Sequence, residues 1–112
     1  MTEGKKFDDD KPMLATFYPD FSNAYHALIA VATYGAKKYG EDRENPNWLN
    51  LENASVRLKN SLFRHLDKYL TGEEMDIESG QSHLAHIIWN ACILYELEIR
   101  NARTARSTVA GL

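Results

Sequence analysis

Several features are missing from this chain, and each absence narrows what it can be. There is one cysteine, Cys92, so no intramolecular disulfide can staple the fold, and a reducing cytoplasm is the expected setting. No apolar run approaches the ~20 residues needed to span a bilayer, so no membrane partner is expected. The opening residues are polar and charged, without the apolar stretch of a signal peptide. A basic excess is also lacking: the net charge is −3, whereas a polynucleotide-binding domain would carry a cationic face. Cysteine clusters, HExxH, GxGxxG, Walker loops, nucleophile elbows and adjacent His-Asp pairs do not occur. Strand-like alternation, internal repeats and low-complexity tracts are absent as well.

What remains is a chain of 112 residues, 44% apolar and 26% charged. That is the balance of a soluble globular protein, at a length suited to a single domain over residues 1–112. Its most unusual stretch runs from Arg64 to Asn90. Four of the six residues from Glu73 to Glu78 are carboxylates, with His65 before them and His83 and His86 after. Carboxylates this dense repel one another unless a cation or a set of donors holds them.

Helical periodicity organises the chain around that stretch. Residues 1–19 have no helical period and read as an extended arm, with Met13, Leu14, Phe17 and Tyr18 able to dock. A first helix is predicted over 22–38, with Asp20 or Ser22 as cap and Gly40 as stop. Glu41 to Trp48 is a polar loop broken by Pro46. A second helix is predicted over 53–70 and stopped by Gly72, with Leu58, Leu62, Leu66 and Tyr69 as its apolar stripe. The third and longest is predicted over 79–102, capped by Asp76 or Ser79, with residues 104–112 as a flexible tail. Leu84, Ile87, Ile88, Ala91, Tyr95 and Ile99 cover one broad side of it, and Leu94 and Leu97 continue another. A small monomer cannot bury so apolar a helix. The expected fold class is therefore all-α: three main helices with an N-terminal arm, in a helical bundle completed by homo-oligomerisation.

Two patterns carry chemistry. Arg57, Ser61, Arg64 and Lys68 fall at i, i+4, i+7 and i+11, so three cations share one helix face that leads toward the acidic link. Such a face suits phosphate oxygens. Capping and dipole interactions account for at most two of the four acidic residues. The group fits a hard divalent cation, Mg²⁺ or Mn²⁺, with the histidines tilting the balance toward Mn²⁺. Glu73, Asp76 and Glu78 are the candidate catalytic and metal-holding carboxylates, and His83 or His86 is a further ligand or the group that orients water. The plain alternative for each histidine is a hydrogen-bonded core residue, and for Asn90 a cross-helix hydrogen bond. Trp48 either anchors its loop in the core or, with Asn47, borders a base. His65 lies between the basic and apolar faces. A metal beside a cationic stripe points to a phosphorylated small molecule.

KFDDDKP, GAKKYG with a following NW, then RH, GEEMDIESG and HLAHIIWN occur in that order over about residues 4–97. Together they resemble the phage and bacterial dATP/dGTP diphosphohydrolase-like proteins, part of the wider MazG-like group of all-α nucleoside triphosphate pyrophosphohydrolases. The resemblance implies dimers or tetramers with active sites between helices and subunits. It also implies Mg²⁺- or Mn²⁺-dependent conversion of a (d)NTP to the (d)NMP and pyrophosphate. One similar branch cuts dGTP in phages that replace adenine with 2-aminoadenine, which implies a purine deoxynucleotide, dGTP, as substrate. The wider group's ExxE and ExxD halves map onto Glu41-x-x-Glu44 and Glu73-x-x-Asp76, so Glu41 and Glu44 join the candidate metal ligands. Lys38, Arg57, Arg64 and Lys68 are then candidates for the phosphates and Asn47 and Trp48 for base or sugar, with His65 and Asn90 as further substrate-binding candidates. Two other readings stay open: a triphosphohydrolase releasing inorganic triphosphate, and a non-catalytic helical oligomer that binds nucleotides.

Overall fold

The computed structural model describes residues 3–40 and 43–110, and the regular elements among them are helical, so the fold is all-α. The α-helices among the described residues are α1 (Leu14–Phe17), α2 (Ser22–Tyr39), α3 (Ala54–Leu70) and α4 (His83–Ala110). The arm predicted as extended is helical from Leu14, where the Phe17 N–H donates to the Met13 carbonyl at 3.1 Å. A 3-10 turn, Tyr18–Phe21, with Pro19 near its start, carries the chain directly into α2. Because that turn supplies the lead-in, neither Asp20 nor Ser22 caps α2, and the N-cap Phe21 makes no side-chain bond. The far end follows the sequence: Gly40 has φ 61°, a left-handed conformation open to glycine, and its N–H returns to the carbonyls of Ala36 and Lys37.

α3 ends where Thr71 donates its hydroxyl back to the carbonyls of Asp67 and Lys68. Residues 71–82 then form a knit turn, not the first turn of α4. The Asp76 N–H donates to the Gln81 carbonyl at 2.8 Å, the Gly80 N–H to the Asp76 carbonyl at 2.8 Å, and Met75 pairs with Ser82 in an isolated antiparallel bridge. These bonds engage the backbone that the prediction made helical, so α4 starts at His83 and not at Ser79. Its cap is Ser82, whose Oγ accepts from the Ala85 N–H at 3.0 Å. α4 runs on to Ala110 instead of stopping near Ala102, because no glycine or proline interrupts it before Gly111. The predicted flexible tail is thus mostly helix.

α4 packs chiefly on α3 and next on α2. Among the described residues the enclosed apolar side chains are few: Val31, Leu58, Ala85 and Ile93. Val56, Phe63 and Leu70 recur every seven residues on α3 and are each at least 60% exposed, and Leu84 and Tyr95 of α4 are also uncovered. The radius of gyration, 18.6 Å, exceeds the about 13 Å of a compact domain of this length. One copy of the chain leaves α4 short of the burial its sequence demands. No helix among the described residues is long and apolar enough to cross a membrane.

Candidate functional site

Three helices and the loop before α3 converge on a cavity of about 420 Å³. α3 supplies a basic wall of Arg57, Arg64 and Lys68, with Ser61 among them and His65 beside them. Their helical spacing alone brings these residues to one side. α4 contributes His86, Trp89 and Asn90, and α2 contributes Tyr34 and Lys38. Asn47 and Trp48 enter from the 3-10 turn Asn47–Leu49, and Asp76 and Glu78 from the acidic turn. Glu73 and His83 are not among the lining residues; they stand behind the His65 side. Glu44 is exposed and outside the cavity, and Glu41 lies outside the described residues.

The three histidines form one cluster. His83 is fully buried, with Nε2 2.7 Å from Glu73 Oε2 and Nδ1 2.8 Å from the Nδ1 of His65. A carboxylate only accepts, so His83 donates from Nε2 and keeps a lone pair on Nδ1. His65 donates to that lone pair, and a Glu73–His83–His65 chain fixes both rings. The His65 ring also stacks on His86 at 4.2 Å, 3° from parallel. His86 Nε2 lies 2.6 Å from Ser79 Oγ, and the Ser79 N–H donates to Asp76 Oδ2 at 3.0 Å. One ligand atom each from His65, Asp76 and His83 lie within 4.8 Å of one another. Two imidazole nitrogens and a carboxylate oxygen fit a divalent first-row cation once the His65 proton shifts from Nδ1 to Nε2, which frees the single lone pair of His83. Glu73 behind His83 is the kind of outer carboxylate that orients a ligating imidazole.

Electrostatics suit that donor set. Burial, and then the neighbouring His86, push His65 down to about 4, although Asp76 pulls the other way. Burial also lowers His86, so its 3.5 Å approach to Asp76 is not an ion pair at neutral pH. For Asp76, burial acts upward, but hydrogen bonds from Ser79, with help from His86 and His65, hold the carboxyl below its ordinary value. A neutral His65 beside an ionised Asp76 has the protonation states that metal ligation needs. At the exposed edge, Lys38 and Tyr34 both donate to Glu78 Oε1, the tyrosine at 3.1 Å. The lysine, then the tyrosine, lower Glu78, and the same hydrogen bond raises Lys38.

At the other end, Trp48 is half-buried, and the Arg100 guanidinium of α4 lies 5.2 Å from its ring centre. Asn90 is buried and makes the cross-helix bond to Ser61 at 3.2 Å while lining the cavity. Sequence reasoning misses Tyr34, Ser79 and Trp89 as members of this site. Tyr34 has a readable signal, since it sits one helical turn before Lys38 on the same face. Ser79 has none, because its position depends on a turn that folds Asp76 back onto Gln81.

Comparison with known proteins adds one positive finding. The family model described as dATP/dGTP diphosphohydrolase, N-terminal, matches residues 1–107. No curated protein and no solved structure matches the chain significantly. Because the family match spans nearly the whole sequence and every residue of the cavity, the chain belongs to the dATP/dGTP diphosphohydrolase N-terminal family.

Proposed function

We propose that this chain hydrolyses a purine deoxynucleoside triphosphate, dGTP before others, to the monophosphate and pyrophosphate in a reaction that depends on Mn²⁺ or Mg²⁺. One observation carries this reading: a cationic wall and a histidine–aspartate group able to hold a cation meet at one cavity. The cavity's volume suits a mononucleotide, and its solvent-exposed cations line the same cavity as the candidate cation group, which favours a small nucleotide over a polynucleotide.

Arg57 and Arg64 match phosphate oxygens with planar forks, and Lys68 adds a point charge. These three meet the charge that builds on the leaving pyrophosphate. Lys38 can join them by exchanging Glu78 for phosphate. His65, Asp76 and His83 would hold the cation, and the imidazole nitrogens favour Mn²⁺ over Mg²⁺. Such a cation neutralises phosphate charge and makes an attacking water more acidic. His86, which faces the cavity with Ser79 behind it, orients that water. Glu73 keeps His83 in place, and Glu78 positions Lys38. Asn47 and Trp48 take the base by hydrogen bonding and stacking. Glu44, outside the cavity, has no part in this assignment.

The exposed apolar faces of α3 and α4 support a homo-oligomer, a dimer or a tetramer, and the single cysteine suits a reducing cytoplasm. A panel of NTPs and dNTPs incubated with Mg²⁺ or Mn²⁺, with products separated by chromatography, tests the function. The expected result is dGMP and pyrophosphate from dGTP. Deoxyguanosine with inorganic triphosphate, or binding without turnover, sinks the proposal.

A further inference from the structure

Asn90 does more than tie α4 to α3, and the inference drawn from it rests on the nucleotide reading above. The residue is 3% exposed, and its amide nitrogen donates twice: to the His86 carbonyl at 2.9 Å and to Ser61 Oγ at 3.2 Å. A backbone carbonyl only accepts, so the nitrogen must face His86; the flipped carboxamide would set two oxygens against each other. Oδ1 is therefore the atom left over. Among the described residues it accepts no hydrogen bond, yet none of their enclosed side-chain oxygens or nitrogens lacks a partner. Oδ1 is consequently open to the cavity that Asn90 lines. An acceptor held this rigidly, and nearly buried, is ready for a donor that arrives with a ligand.

Ser61 supplies the complement. Its Oγ accepts from Asn90, and among the described residues its own hydrogen is donated to no protein acceptor. The cavity thus presents one fixed acceptor beside one available donor. A ligand hydroxyl, which donates once and also accepts, satisfies both at the same time.

Position along the cavity selects which hydroxyl. Asn90 follows His86 by four residues, about 6 Å along the helix, so it stands one turn away from the cation end. Trp48 lines the same cavity and lies under the guanidinium of Arg100, which is further along α4. A nucleotide with its phosphates at the histidines and its base at Trp48 has its sugar between them. We propose that Asn90 and Ser61 bind the 3′-hydroxyl of the deoxyribose, with Asn90 Oδ1 accepting from it and the Ser61 hydroxyl donating to it, and so make this hydroxyl a determinant of specificity.

The decisive comparison is turnover of dGTP against 2′,3′-dideoxy-GTP by the wild type, Ser61→Ala and Asn90→Ala. In the wild type, loss of the 3′-hydroxyl is expected to lower kcat/KM at least ~10-fold, mostly through KM. Both variants are expected to handle dGTP less well than the wild type and to discriminate less against the dideoxy substrate. Equal kcat/KM for both substrates in the wild type overturns the proposal while leaving the pyrophosphohydrolase reading intact. Discrimination undiminished in Ser61→Ala overturns it as well, and neither result depends on the buried Asn90 variant folding. Loss of discrimination between dGTP and dITP, with that between deoxy and dideoxy retained, assigns the pair to the base and also overturns it. If the wild type turns over neither nucleotide, the earlier reading fails. Calorimetric binding of dGMP against 2′,3′-dideoxy-GMP then decides on the hydroxyl contact by itself, equal affinities overturning it.

Discussion

The two ends of the cavity are built differently. At the histidine end, side chains hold one another: Glu73 holds His83, His83 holds His65, His65 stacks on His86, and Ser79 binds both His86 and Asp76. At the tryptophan end, Asn47 and Trp48 ride on a three-residue 3-10 turn, and a single guanidinium covers the indole. The first arrangement is preorganised, with rotamers locked before anything binds. The second is tied chiefly within its own turn, the Asn50 side chain donating to Asn45 and to the Pro46 carbonyl, and is not cross-linked to the histidine group. Attack at phosphorus needs charges in place beforehand, whereas recognition of a flat base tolerates side chains that settle around it. The division of labour proposed for the cavity follows this difference in construction.

Breaking the locked end has the largest expected effect. Asp76→Asn preserves size and a hydrogen bond to Ser79 but removes the charge. Turnover is expected to fall by more than the ~10–100-fold typical of changes behind a ligand, with the oligomer intact by size-exclusion chromatography. Full activity in Mn²⁺ would remove Asp76 from the mechanism. The same end also makes stability depend on pH. His65 titrates at about 4 in the folded chain, against 6.5 for an ordinary imidazole. As pH falls below about 6.5, the unfolded chain takes up a proton that the folded chain refuses. Stability is therefore whole above that range, declines down to about pH 4, and then levels off. The ceiling on the loss is on the order of 3 kcal/mol. Thermal unfolding followed between pH 4 and 7.5 reads it, and an identical slope in His65→Asn assigns the acid sensitivity to another group.

A gentler change tests whether the lock serves a cation. Glu73→Gln keeps an acceptor for His83 and loses the charge behind it, so Mn²⁺ affinity is expected to drop about 10–100-fold. Titration calorimetry with Mn²⁺ alone measures this without relying on turnover. Unchanged affinity would make His83 a packed core histidine and nothing more.

How much of this was legible in the sequence depends on the range of each interaction. The three main helices, the stops at Gly40 and Gly72 and the shared face of Arg57, Arg64 and Lys68 are local or periodic, and they read directly from residue spacing, whereas the short helix in the arm does not. The start of α4 was not readable, because Ser79 and Ser82 are equally plausible caps until the Met75–Ser82 bridge is known. Nor was the contact between His65 and His83, which depends on how tightly the turn folds α4 against α3. The same gap hid the pairing of Glu78 with Lys38, since a dense acidic run looks alike whether its members face a cation, a lysine or water.

The tryptophan end yields the smallest expected effect and the sharpest test of the contrast. Stacking of a base on an aromatic ring contributes ~1–3 kcal/mol, so Trp48→Ala is expected to raise KM about tenfold while kcat stays nearly constant. Trp48→Phe, which keeps a ring face, should recover most of that loss. A fall in kcat as large as the rise in KM would mean that the indole also sets the position of the phosphates. The two ends would then be mechanically joined through α3 and α4, and the separation of a fixed chemical end from a recognition end would fail.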